Sequence, residues 1–517
     1  MILKEEISMT IGDQSAFADR IIEQRQSAPV IVPHVVNGVE RLDGPLLERE
    51  DPSAPGTIVS GCHDAPAELV REAVAASRAA QKQWAKVPLM TRIEHVRRAI
   101  PFIEEHIEDW AVRVAIEIGK PYAAARAEGT EVLDILLQYA DYAGAPGAFE
   151  DERTPDPAGL AADSVLRPYG VFGAITPFNY PIVQAAGPVI AGVLAGNGVV
   201  VKTSHHGPWS GHAVAEFCAH MDLPTGLVNV IHGADDPGRA LVASDIDGIC
   251  FTGSVGVGQS IVREFAGGPY YRPVIAEMGG KNPVIVTDSA DLELAADGIV
   301  FSAFDLSGQK CSALSRVLVT PGAHDALASL IAQRVAALQM TDPTQPDAFG
   351  GPVVSPEAVE RHHALLAEAK YNNFAVTTGH AGSDGYFVPA VVVDGVPADH
   401  RLANVEHFLP FLTISEVENF DTALQVANST TMGLTAGIYT RDRDEAQEFL
   451  DEIEAGCVNV NVPGHATTGW WPGPQTFGGW KASGTTGKQT LGKWYFQLFA
   501  REQARKLPSE LGSMLTY

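Results

Sequence analysis

Among five cysteines, at positions 62, 218, 250, 311 and 457, one sits in company suited to nucleophilic chemistry. Cys311 lies in SGQKCSA at 307–313, beside Lys310 and between hydroxyl residues. Such polar surroundings favour a thiolate, the form of cysteine that attacks carbon electrophiles. A lone cysteine is more often a small buried hydrophobe, so the residue type alone decides nothing. Three other segments place polar residues or glycines just beyond β-branched runs. In ITPFNYP (175–181) Asn179 follows such a run, where an Asn near Pro is ordinarily a turn residue. In VVVKTS (199–204) Lys202 stands at the carboxyl end of a run, the edge of a parallel sheet at which ligands bind. A lysine there is either solvated or bonded to cofactor hydroxyls or phosphate. FTGSVGVG (251–258) reads as strand, Gly-rich turn and helix, which offers backbone N–H groups to a phosphate. Its glycines fall at 253, 256 and 258, so the GxGxxG fingerprint is absent. AEMGGKNP (276–283) precedes the cysteine motif.

These segments need a scaffold, and the pattern around them specifies one. The runs GVFGAIT, GNGVVVKTS, TGLVNVIHG, DIDGICFTGS and RPVIAEMGG alternate with helical stretches at 181–195, 208–221 and 256–266. That alternation predicts parallel βαβ units and an α/β dinucleotide-type fold. A second alternation runs through NPVIVTD, a helix at 291–303, RVLVTP, a helix near 323–338, FLTISEV, a helix near 422–428 and TAGIYT, and closes at GCVNVNV (456–462). The first 150 residues read as mostly helical, over 64–85 and again over 90–119. Two segments belong to neither unit: 150–163, polar or extended, and the tail 488–517 with its strand-like WYFQLF.

A chain of 517 residues exceeds one ordinary domain. Its 36 Lys+Arg against 63 Asp+Glu give a net charge of -27, which repels nucleic acid and anionic membranes and makes neither an expected partner. There is no CxxC pair and no even cysteine framework, so no metal site is expected and a reducing compartment is. The start, MILKEEISMTIGDQSAF, does not read as a secretory signal, and the apolar stretches are short and broken by Gly. A cytoplasmic enzyme is the expectation.

The order of these motifs resembles the aldehyde dehydrogenase superfamily across almost the whole chain. Asn179 to Lys202 spans 23 residues and Glu277 to Cys311 spans 34, as in that family. LPTGLVNV (223–230), EHFLP (406–410), GLTAGIYT (433–440) and TFGGWKASG (476–484) add further matches. The resemblance implies that Cys311 attacks the aldehyde carbon and that the Asn179 amide and the Cys311 N–H hold the oxyanion. Hydride then passes to the nicotinamide of NAD (or NADP), and Glu277 activates the water that releases the acid. It further implies cofactor contacts from Thr176, Pro177, Phe178, Lys202, Gly253, Ser254, Glu406 and Phe408. The implied architecture is two Rossmann-like parallel-sheet domains plus a small β oligomerisation element. Residues 1–146 and 166–279 would form the NAD(P)-binding domain, 280–480 the catalytic domain, and 147–165 with 481–517 the oligomerisation element. A homodimer or higher homo-oligomer is therefore expected.

SAFDLSGQKCSALSRVLV (302–319) is most similar to the L-glutamate γ-semialdehyde (1-pyrroline-5-carboxylate) dehydrogenases. In that group a Ser after the cysteine and a Gly followed by a small residue bind the substrate carboxylate. Ser312 and Gly469 match, but Trp470 stands where the small residue belongs, and an indole favours a more apolar or aromatic aldehyde. Many NAD-using relatives carry Glu three residues after the Lys. Here that place is His205, whose imidazole if protonated would attract the 2′-phosphate of NADP. NAD remains the expected cofactor, with NADP accepted. A CoA-acylating enzyme would usually lack the Glu277 equivalent, and a catalytically inactive structural member would be expected to lose Cys, Asn or Glu; all three are present.

Overall fold

The computed structural model describes residues 11–149, 154–155, 158–469, 475–488 and 490–508. Two seven-stranded sheets organise it. In the first, Val274–Glu277, Gly248–Thr252, Val171–Ile175, Gly198–Lys202 and Val228–Ile231 lie parallel in that order. The antiparallel pair His34–Val36 and Val39–Arg41 extends the far edge. In the second, six strands run parallel: Val391–Asp394, Phe411–Glu416, Leu314–Val319, Asn282–Val286, Thr435–Tyr439 and Cys457–Val460. Ala375–Thr378 closes its edge antiparallel. Most of the parallel strands are buried on both faces, hence their unbroken Val/Ile runs. Helices Val183–Leu194, Pro208–Ala219, Val255–Ala266 and Leu292–Phe304 supply the crossovers. The expected α/β class is what the chain adopts.

One local expectation is incomplete and another fails. The first 150 residues are mostly helical as read, with helices at Ala67–Trp84, Leu89–Arg97 and Ile100–Ile118, but between residues 30 and 63 the chain forms five short strands. These strands are three to six residues long and punctuated by Pro and Gly, too brief to show a period of two. WYFQLF is not a strand: Tyr495–Phe499 is a 3-10 turn whose Tyr495, Phe496 and Phe499 are buried in the main core. The strand begins after it, at Ala500–Pro508, and pairs antiparallel with Leu160–Pro168 over nine residues. Thr154–Pro155 completes this three-stranded arm. Among the described residues no helix is long and apolar enough to cross a membrane.

Candidate active site

The carboxyl ends of the first sheet meet the amino ends of the second. Val274–Glu277 leaves one sheet, and after four residues the chain enters Asn282–Val286 in the other. Thr176, Lys202, Gly253 and Glu277 all stand at or just past carboxyl ends of parallel strands. Strand order reverses between Val171–Ile175 and Gly248–Thr252, and such a switch point opens a crevice for a ligand.

Cys311 arrives from the other side on a turn under unusual backbone constraint. Leu306, Ser307 and Gly308 are all left-handed, with φ of 52°, 53° and 67°. Non-Gly residues hold that conformation only where their surroundings over-determine it. Here Ser307 Oγ donates to Gly351 O at 2.6 Å, and a side chain at 308 would collide with the Leu409 carbonyl. Beyond the cysteine, Ala313 N donates to Lys310 O at 3.1 Å. Asn282 Nδ2 donates to Cys311 O (2.7 Å) and Ala313 O (2.9 Å), and Thr467 Oγ1 to Ser312 O (2.8 Å). The Cys311 N–H has no acceptor among the described residues. Asn179 is brought alongside, its buried amide donating to Gln309 O at 2.8 Å.

The thiolate expected from polar neighbours is not what this arrangement produces. Burial, and then the Glu406 and Glu277 carboxyls, push the Cys311 thiol up to about 12. Lys310 does not offset them. Against the burial that would lower it, its ammonium is held above its ordinary value by Asp305 and by the Tyr180 hydroxyl. Adjacency in sequence put Lys310 beside the thiol; its side chain is engaged elsewhere.

Glu277 is buried, and Gly479 N donates to its Oε2 at 3.2 Å. Desolvation raises its carboxyl well above the usual range. Glu406 accepts from Gly280 N at 3.1 Å, and burial pushes it up to about 7. A side chain at Gly279 would overlap the Glu406 carboxyl, so this glycine permits the approach. Phe408, two residues on, is left-handed at φ 57°, and its ring meets Phe178 edge-on at 5.9 Å. Phe178 and Phe408 thus join the two sheet systems.

Several of these groups suit a dinucleotide. Thr176 Oγ1 is buried without a hydrogen-bond partner, in a cavity it lines with Gln184, Thr252 and Glu277. Lys202 is buried, and desolvation lowers its ammonium to about 8 against the pull of Asp235 and Asp64. No hydrogen bond of the described residues takes that ammonium. Ser254 caps helix Val255–Ala266 through Val257 N, leaving the turn at Gly253 at the open end of the helix. Pro177 continues the same loop. An orphaned hydroxyl, an unpaired cation and the first N–H groups of a helix that Ser254 caps only at Val257 fit ribose hydroxyls and pyrophosphate. Burial, and then neighbouring Lys202 and Arg49, lower the His205 imidazole from its ordinary value, which disfavours the imidazolium considered for NADP.

Of the substrate residues, Ser312 carries no side-chain hydrogen bond among the described residues, and Gly469 is left-handed at φ 88°. Trp470 lies outside the described residues. Sequence reading missed Glu131. Its carboxyl, in helix Tyr122–Ala143, is pushed up to about 7 by burial, with Lys120 and Lys310 opposing. The only signal was an acidic residue in an Ala-rich helix, which ordinarily marks a solvated face.

Known proteins share this fold. The model of the aldehyde dehydrogenase family matches residues 42–504. An N-succinylglutamate 5-semialdehyde dehydrogenase of Shigella flexneri is 33% identical over 456 residues, covering 85% of this chain and 88% of that protein. A 1-pyrroline-5-carboxylate dehydrogenase of Geobacillus sp. (strain WCH70) is 30% identical over 485 residues, 92% of this chain and 93% of the relative. The crystal structure of a Thermus 1-pyrroline-5-carboxylate dehydrogenase with bound NAD superposes with a TM-score of 0.91 at 30% identity, covering 97% of each chain. The chain belongs to the aldehyde dehydrogenase family, NAD(P)-dependent oxidoreductases acting on aldehydes.

Proposed function

We propose that the chain oxidises an aldehyde to its carboxylic acid through a thiohemiacetal and then a thioester on Cys311. The observation that carries this reading is the Cys311 N–H, without an acceptor among the described residues, two positions on from Gln309, whose carbonyl takes the Asn179 amide. The thiol proton passes to solvent water, Sγ adds to the aldehyde carbon as the C=O π bond opens, and the oxygen becomes an oxyanion held by those donors. Thr176, Pro177, Phe178, Lys202, Gly253, Ser254, Glu406 and Phe408 would hold NAD(P), which when bound supplies the hydride acceptor. Glu277, once ionised, takes a proton from the water that cleaves the thioester, returning the thiol and releasing the acid. That buried carboxyl favours hydrolysis over transfer to CoA. The two sheets and the arm support domain limits at 1–146 with 166–279, 280–480, and 147–165 with 481–517. The arm, a three-stranded sheet separate from both seven-stranded sheets, supports a homodimer or larger assembly, and five unpaired cysteines support a reducing, cytoplasmic setting.

For the substrate, the reading is L-glutamate γ-semialdehyde. Among the described residues Ser312 Oγ has no hydrogen bond and the Gly469 N–H has no acceptor. Relatives named for semialdehydes support it. Trp470 favours the second reading, an apolar or aromatic aldehyde. Ser312→Ala separates them: kcat/KM for the semialdehyde should fall about tenfold, one pocket hydrogen bond, with little change for an apolar aldehyde of equal length. Equal losses for both aldehydes would remove Ser312 from substrate recognition.

His205→Glu tests the cofactor assignment. A carboxylate near Lys202 repels a 2′-phosphate, so kcat/KM with NADP should drop about tenfold more than with NAD. Parallel changes would mean that residue 205 does not approach the adenosine ribose.

A further inference from the structure

Gln309 lies two residues before Cys311 and takes part in no step of the proposed reaction, yet the Asn179 amide rests on it. One Asn179 N–H is spent on the Gln309 carbonyl at 2.8 Å, so the direction of the other follows from where that carbonyl stands. The Gln309 side chain, 1% exposed, holds the residue in place. Its Oε1 accepts from Val354 N at 2.9 Å, and its Nε2 lies 3.5 Å from both Leu306 O and Pro352 O. Its backbone N–H donates to Leu306 O at 3.0 Å. The segment that receives this side chain is itself pinned twice. Buried Arg49 donates to Val354 O (3.1 Å) and to Glu117 O (3.0 Å) in helix Ile100–Ile118. A side chain at Gly119, which ends that helix, would collide with the Pro352 ring. On the cysteine side, Gly351 O takes the Ser307 hydroxyl at 2.6 Å. An unbroken run of hydrogen bonds thus leads from Asn179 through Gln309 and Val354 to Arg49.

We propose that Gln309 is a positioning residue: by fastening its side chain to Val354 it holds its own carbonyl, and through it the second Asn179 N–H, in register with the Cys311 N–H. Oxyanion donors act only when aimed at the place the developing charge will occupy, and small displacements there cost rate rather than binding. The inference rests on reading Asn179 and Cys311 as the oxyanion donors.

The test compares Gln309→Met, which keeps the length of the side chain and deletes its acceptor, with Gln309→Glu, whose carboxyl keeps an acceptor for Val354 N. Gln309→Asn, too short by one carbon to reach Val354, is run alongside and should behave as Gln309→Met does. Asn179→Ala and the Asn179→Ala/Gln309→Met double variant complete the set. All are full chains, assayed with NAD and whichever of L-glutamate γ-semialdehyde and benzaldehyde the wild type oxidises faster. For Gln309→Met, kcat should fall roughly 10- to 100-fold, below the full loss of an oxyanion donor. Aldehyde KM and NAD affinity should stay within about twofold, as for a group acting in the transition state. Gln309→Glu should recover kcat to within about threefold of the wild type, because the bond to Val354 N survives. In single turnover the rate constant for reduced-cofactor formation should fall in Gln309→Met with its amplitude unchanged. The double variant should lie within about twofold of Asn179→Ala alone, since Gln309 acts through that amide. A lowered amplitude at an unchanged rate constant would show that Gln309 only keeps the chain folded, and would overturn the proposal. So would a raised KM with unchanged kcat, a Gln309→Glu variant as slow as Gln309→Met, or fully additive losses. Loss in Asn179→Ala beside wild-type rates in Gln309→Met and Gln309→Asn would overturn the positioning role alone. Full activity in Asn179→Ala would overturn the oxyanion reading and the positioning role with it.

Discussion

Cys311→Ala should lower aldehyde oxidation by at least roughly 10³-fold while leaving NAD binding intact, as expected when a nucleophile is removed from a site whose other parts remain. The other cysteines are poorly placed to substitute. Cys62, Cys218 and Cys250 are buried in strands and helices, and burial raises all three thiols, Cys62 to about 12. Cys457 comes nearest. Burial pushes it up to about 11, and its Sγ is directed at the carbonyls of Thr476 (3.5 Å) and Gly478 (3.9 Å) on the loop that also meets Glu277. Substantial oxidation by the purified variant, free of wild type, would remove Cys311 from the chemistry. Retained oxidation that disappears in a Cys311→Ala/Cys457→Ala double variant would move the nucleophile to Cys457.

Glu277→Gln should separate the two half-reactions. The amide matches the shape of the buried carboxyl and can still accept from Gly479 N, so the loop at 476–484 should keep its place. Acylation depends on Cys311 and the oxyanion donors, whereas deacylation needs a group to take a proton from water. A single-turnover burst of reduced cofactor should survive, and steady turnover should fall by roughly 10²–10⁴-fold. The pH dependence has a definite sign. Glu277 is raised above the usual carboxylate range, so in the wild type it gains base character as pH rises through that elevated value. Cys311, raised to about 12, changes in the same sense. Wild-type turnover should therefore increase from neutral to alkaline pH. In Glu277→Gln the carboxylate's contribution to that rise should be missing from deacylation. Burst and steady rate falling together would place Glu277 before hydride transfer instead.

Much of the site was legible because its residues sit in contiguous motifs at strand ends. Asn179, Lys202, Glu277 and Cys311 could each be read from a few neighbours and a spacing, and the structure gathers them where the two sheets meet. What escaped depends on partners distant along the chain. Glu128 caps backbone N–H groups more than fifty residues later, and Lys120 meets Tyr180 sixty residues on. In sequence both look like solvated charges on Ala-rich helices. Lys310 misled for the opposite reason. It adjoins Cys311, yet Asp305 takes its ammonium, and the thiol it seemed to activate is raised by burial. WYFQLF looked like a strand because its aromatic residues have high β-propensity, but those rings fill the core against helix Val183–Leu194, and tertiary packing overrode propensity.

The most direct test of the central claim is peptide-level mass spectrometry of Glu277→Gln protein quenched after mixing with NAD and aldehyde. A mass increase equal to the acyl group, confined to the peptide carrying Cys311 and removed by hydroxylamine, is the predicted result. No adduct despite a full burst of reduced cofactor, or an adduct on another residue, would contradict a thioester on Cys311.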